Sequence, residues 1–163
     1  MSQKEVEELK TIQSIVDEIL AGIEPMRVKP DSSTIKQYCE MVGDNNPVYF
    51  DDDSARREGY PGAIVPQSYL MTLFVPIVNE VFIKGAEKLF TGLIRGVIHS
   101  GSEVVYDKPL MVGETYVMHL ESVSLNKKSG DTGDYYVWTF RAVVSSEDGE
   151  EQAYDKHTFF LKI

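Results

Sequence analysis

The spacing of apolar positions divides the chain into a helical first half and a stranded second half. Val6, Leu9, Ile12, Ile15, Val16, Ile19 and Leu20 recur at steps of three and four, the spacing of one helix face. Ser2 to Glu5 reads as a capping box before that helix, and Gly22 suits its end. The stripe must lie on something, either the body of this chain or a partner subunit. Between Pro25 and Pro30 there is room only for a short extended piece around Met26 and Val28. A second helix is predicted from an N-cap near Ser32 to Thr34 as far as Val42, with Ile35, Tyr38, Cys39 and Val42 on one face. Gln67 through Val75 is apolar on nearly every side, which predicts a helix buried on nearly every side, and Pro76 should kink or end it.

Beyond that helix the period changes to two. Residues 93–100, 103–106, 115–125, 135–145 and 152–163 read as strands bounded by Gly, Pro, Asn or Asp. Tyr136, Trp138, Phe140, Ala142 and Val144 form a packed face that alternates with the mixed set Tyr135, Val137, Thr139, Arg141 and Val143. Glu147 to Glu150 is a hairpin signal. Helices first and antiparallel strands afterwards predict an α+β layer fold.

Candidate chemistry is concentrated between Val42 and Pro66. Gly43 suits a helix stop at positive φ, Pro47 restricts Asn46, and Asp44, Asn45 and Asn46 crowd a carboxylate and two carboxamides into the turn between them. Such side chains commonly bond their own backbone, so a well-capped loop is one reading of the triplet. Asp51, Asp52 and Asp53 ahead of Arg56 and Arg57 have the charge order of a short helix that complements its own dipole.

Gly43-Asp44-Asn45-Asn46-Pro47-Val48-Tyr49-Phe50-Asp51 with Ala55 resembles the hydratase motif of the MaoC-like dehydratases, Gly-Asp-x-Asn-Pro-aliphatic-His-x-Asp followed by Ala. Gly62 to Pro66, His99 to Glu103 and Lys108 to Glu114 are similar to further stretches of the family's N-terminal-type dehydratase domains. The resemblance implies a hot-dog fold, an antiparallel sheet wrapped round one central helix, over residues 24–163, with 1–23 as an N-terminal helical extension. It implies hydration of an enoyl thioester, or the reverse dehydration, with acyl-coenzyme A or an acyl-carrier-protein thioester as substrate, no cofactor, and a setting in lipid or steroid metabolism. Carried over by position, Asp44 is the catalytic carboxylate, Asn46 shapes the loop, Gly62 and Ala63 offer amide donors to the thioester oxygen, and Pro66, Tyr69 and Arg95 belong to the substrate site. Tyr69 and Phe74 would line or block an acyl tunnel.

The departure is Tyr49, which stands where the catalytic subfamily has His. An unperturbed phenol titrates near 10 and imidazole near 6.5, so at neutral pH the phenol donates well and accepts a proton poorly. The family includes heteromeric enzymes in which one subunit carries the Asp and His while a related one shapes the tunnel, and this chain resembles the second kind. The expectation is therefore a substrate-binding or structural subunit of an (R)-specific enoyl-thioester hydratase, paired as a heterodimer with a His-bearing MaoC-like subunit or as a homodimer. Alternatives are a self-sufficient hydratase, using Asp44 with Tyr49 or with His99 brought close, and a hot-dog acyl-coenzyme A thioesterase. His119 and His157 read as satisfied sheet residues.

Composition narrows this further. At 163 residues the chain has the length of one domain with a real core. A net charge of −10 argues against nucleic acid or anionic membranes as partners. A phosphate-bearing ligand would need local cations, for which Arg56, Arg57, Arg95, Lys108, Lys127 and Lys128 are candidates. With one cysteine, Cys39, no internal disulfide can form, and its helical neighbours suggest a small core residue. With neither an apolar leader nor a long apolar run, the expected location is cytoplasmic.

Overall fold

In the computed structural model the described residues are 3–89, 92, 94–131 and 133–163. Ser2 of the expected capping box and Leu93 of the expected strand lie outside them. The first helix, α1 (Gln3–Ala21), ends before Gly22 as expected. A three-residue strand, β1 (Met26–Val28), leads to α2 (Ser32–Val42). A single 3-10 turn over Pro47–Tyr49, a short helix α3 (Asp52–Arg57) and a long helix α4 (Tyr69–Leu89) follow. Four strands complete the chain: β2 (Gly96–Tyr106), β3 (Tyr116–Gly130), β4 (Gly133–Ser146) and β5 (Glu151–Lys162). They form one antiparallel sheet in the order β1-β3-β4-β5-β2, curled around α4 as a hot-dog fold.

The core lies between α4 and the concave face of the sheet. Leu70, Phe74, Ile77 and Val81 of α4 meet Tyr136, Trp138, Phe140, Ala142 and Val144, the face that alternation along β4 picked out. The α1 stripe closes the same core, with Ile12, Val16 and Ile19 fully buried beside α4 and β3. Own-chain packing thus accounts for that stripe. Tyr136 donates to Glu8 Oε1 at 2.9 Å, and Lys127 pairs with Glu5 at 3.7 Å and with Glu8 at 3.9 Å, which fastens the start of α1 to the β3–β4 end of the sheet.

Four expectations are corrected. The α2 cap is Asp31, one residue earlier than expected, and its carboxylate accepts from the Ser33 and Thr34 amides. Pro76 does not end its helix, because the apolar spacing continues through Ile77, Val78 and Val81 and the packing against the sheet outweighs one lost hydrogen bond. Nor is α4 buried all round: Met71, Val75, Phe82 and Ile83 are exposed. The stretches expected as two strands either side of Ser100 are one strand, interrupted by a bulge between His99 and Gly101.

Candidate active site

Gly43 takes φ 76° and turns the chain out of α2, its amide and that of Asp44 both bonding Cys39 O. Asp44 Oδ1 then accepts the Asn46 amide at 3.3 Å, and Asn46 Oδ1 accepts the Val48 amide at 3.2 Å to cap the turn that carries Tyr49. Both side chains therefore shape the loop, as turn chemistry anticipates. Asp44 is half-buried and bears directly on Tyr49. Burial and then the negative charge of Asp44 hold the Tyr49 phenol above its ordinary value.

Tyr49 lines a cavity of about 840 Å³, with Asn46, Pro47, Arg57, Tyr60, Gln67 and Tyr106 among its walls. Tyr106 is pushed up to about 12, chiefly by burial, and donates to Val65 O while accepting the Leu110 amide, each at 3.2 Å. Three phenols and two carboxamides thus face a cavity that can hydrogen-bond a polar ligand but contains no imidazole among its lining residues. Arg57 is the one of the six candidate cations on this wall. Arg56 is turned to Asp52 and Asp53, Lys108 pairs with Glu150, and Lys127 with Asp134.

The segment 62–66 runs beside the loop, with Ile64 N bonding Val48 O at 3.1 Å. Its amides are mostly committed. Ala63 N donates to Asp52 Oδ1 at 2.9 Å, and Val65 N to Leu110 O at 2.7 Å. Gly62 N makes no hydrogen bond among the described residues, so of the two expected amide donors Gly62 is the available one. A Cβ at Gly62 would sit 3.2 Å from Asp52 Oδ1, so the approach of this carboxylate favours glycine there. Pro66 is buried behind the cavity wall, and Tyr69 packs edge-on against Tyr38 at 5.0 Å as part of the core.

Two sequence candidates are placed elsewhere. Arg95 lines a separate cavity with Tyr135, Phe160 and Lys162. His99 lies on the sheet, stacked on Phe159 at 4.7 Å, at the edge of an apolar cavity under the second half of α4, and it does not line the cavity that Tyr49 faces. Cys39 is fully buried, and its thiol is raised by burial and by Asp44. Tyr60, Gln67 and Tyr106 escape sequence reading because no spacing ties them to the motif.

The curled sheet around one long helix is shared with known proteins. The family model described as "FAS1-like, dehydratase domain region" matches residues 21–153. The chain belongs to this family of FAS1-like dehydratase domains. Within it, the "UPF0336 protein" of Streptomyces avermitilis is 26% identical over 139 residues, spanning 85% of this chain and 86% of that relative. The 3-oxo-4,17-pregnadiene-20-carboxyl-CoA hydratase alpha subunit of Mycobacterium tuberculosis is 32% identical over 104 residues. That match covers 60% of this chain and 31% of the relative, so this chain spans about a third of the alpha subunit. Among solved structures, the ChsH1-ChsH2 complex from Mycobacterium tuberculosis superposes with a TM-score of 0.70 at 21% identity, over 94% of this chain and 92% of the matched one. The family's dehydratase architecture is thus present, with a phenol at the position where the resembling motif has imidazole.

Proposed function

We propose that this chain is one subunit of an (R)-specific enoyl-thioester hydratase, the half that binds or shapes the site rather than supplying its base. The observation that carries the reading is Tyr49. Its phenol is held protonated by burial and by Asp44, so across physiological pH it serves as a hydrogen-bond donor and not as the proton acceptor that water addition requires. The 840 Å³ cavity, walled by Tyr49, Tyr60, Gln67 and Tyr106, would still receive an acyl thioester, with Arg57, which also bonds Ser54, at the wall for its anionic carrier.

The partner's place is supported by the sheet edge. β2 is an 11-residue edge strand exposed along most of its length; it carries exposed Ile98 and Val104, and α4 carries exposed Phe82 and Ile83. A long uncovered edge of this kind is a template for pairing with another strand. A related hot-dog subunit bearing Asp and His would extend the sheet there and bury the apolar face of α4.

The deciding experiment follows loss of enoyl absorbance with short and long 2-enoyl-coenzyme A, first with this chain alone and then mixed with a His-bearing subunit. Silence alone and turnover on mixing support the proposal. Turnover by the chain alone that disappears in Asp44→Asn overturns it in favour of a self-sufficient hydratase.

A further inference from the structure

The bulge in β2 creates a second cluster of reactive groups. On a regular strand His99 and Ser102 would point to opposite faces, because side chains alternate with period two. The extra residue between His99 and Gly101 reverses the parity, so His99 pairs beside Phe159 and Ser102 beside His157, all on the concave face. Ser102 Oγ is 3.0 Å from His157 Nδ1 and 3.3 Å from His99 Nε2. His157 Nε2 in turn stands 3.2 Å from Asp155 Oδ2.

Asp155 is 1% exposed and His157 5% exposed, whereas Ser102 is open to solvent. The His157–Asp155 contact is not aligned as a hydrogen bond, and Asp155 Oδ1 has no partner. Burying such an under-satisfied pair is costly, and an apolar pair would pack this face at no such cost. Catalytic hydrogen bonds are often loose before substrate arrives and tighten in the complex. Beside the cluster, His99, Phe159, Val97, Phe82 and Ala86 help to enclose an apolar cavity of about 230 Å³.

The geometry points to Ser102, His157 and Asp155 as a nucleophilic triad that cleaves short-chain acyl esters or thioesters, with the acyl chain in the apolar cavity. With the imidazole proton on Nε2, toward Asp155, Nδ1 is the acceptor for the Ser102 proton. Ser102 Oγ attacks the acyl carbon, the proton passes to Nδ1, the bond to the leaving sulfur or oxygen breaks, and the leaving group takes that proton. Water, deprotonated by the same nitrogen, then attacks the seryl ester, releasing the carboxylic acid and restoring the hydroxyl. Asp155 balances the transient imidazolium. His99 Nε2–H, 3.3 Å from Ser102 Oγ, is the donor available to the carbonyl oxygen.

The test uses the full chain with p-nitrophenyl butyrate, S-butyryl-N-acetylcysteamine and an alkyl fluorophosphonate. The expected results are a single phosphonyl adduct, formed with loss of fluoride and mapped by peptide mass to Ser102, and butyrate release that falls at least about a hundredfold in Ser102→Ala and His157→Gln. Asp155→Asn should lower kcat with little change in KM and alter the pH profile, which mere loosening of the sheet would not do. Ser102 is exposed on an edge strand, so Ser102→Ala keeps the fold even where the buried variants do not. No adduct on Ser102 of the folded chain, or equal turnover by Ser102→Ala, overturns the inference. It goes beyond the hydratase reading, which is judged by enoyl absorbance and by Asp44, so either can fail alone.

Discussion

Asp52 holds the two sides of the candidate active site together, and its removal tests how the cavity wall is built. Its Oδ1 accepts the Ala63 amide at 2.9 Å and its Oδ2 takes Arg56 Nη2 at 3.3 Å. A hydrogen bond to a charged acceptor contributes about 1.5–3 kcal/mol when shielded from water. The Asp52 side chain is 59% exposed, which reduces that contribution to about 1 kcal/mol. The Arg56 pair is equally open to solvent and adds at most about 0.5 kcal/mol. Asp52→Ala should therefore cost about 1–1.5 kcal/mol, or a fall in melting temperature of about 2–6 °C for a chain of this size. Local opening should be more sensitive, and amide exchange at Ala63 should accelerate by about tenfold, the equivalent of 1.4 kcal/mol. Asp53→Ala is the control, because Asp53 shares the first turn of α3 and pairs with Arg56 but does not touch segment 62–66. Denaturant titration and hydrogen exchange of both variants decide the matter. Equal losses in the two, or unchanged exchange at Ala63, would refute the claim that Asp52 anchors this wall.

Tyr106→Phe leaves Val65 C=O and the Leu110 amide without the phenol, and a loss of about 1–2 kcal/mol is expected in urea unfolding with little change in m-value. Pro76 sits exposed inside α4, so Pro76→Ala should restore a backbone donor and raise stability by about 1–2 kcal/mol at fixed protein concentration. Asp31 is held well below the usual carboxylate range by hydrogen bonds from Ser33 and Thr34. Because its folded value lies below its unfolded one, its charge stabilises the fold above about pH 4, and that contribution is lost as the pH falls toward the folded value. The stability difference between wild type and Asp31→Asn, followed by urea midpoint against pH, should therefore be present at neutral pH and shrink on acidification.

The local layer of this protein was legible in its residues. Periods of three to four and of two marked α1, α2 and the strands because side-chain burial repeats with backbone geometry, while α4 was marked by an unbroken apolar run. Gly43, Asn46 and the Asp51–Arg57 charge order marked their turns and caps because those interactions span only a few residues. The motif likewise placed Asp44 and Tyr49 on one loop, and the loop's own hydrogen bonds keep them there. What lay beyond reach was set by distant packing. Pro76 continued its helix because the sheet beneath rewards more burial than one missing hydrogen bond costs. Ala63 was withdrawn from the site by Asp52, eleven residues earlier, and Gly62 was left as the free donor. Tyr106 reached the cavity from β2 with no spacing to announce it. The β2 bulge reversed strand parity and set Ser102 and His99 beside His157. Gly101 inside the strand was its only written sign, since a glycine there permits a bulge without requiring one. Contacts between residues far apart in the chain depend on where whole elements dock, and only the folded chain decides that.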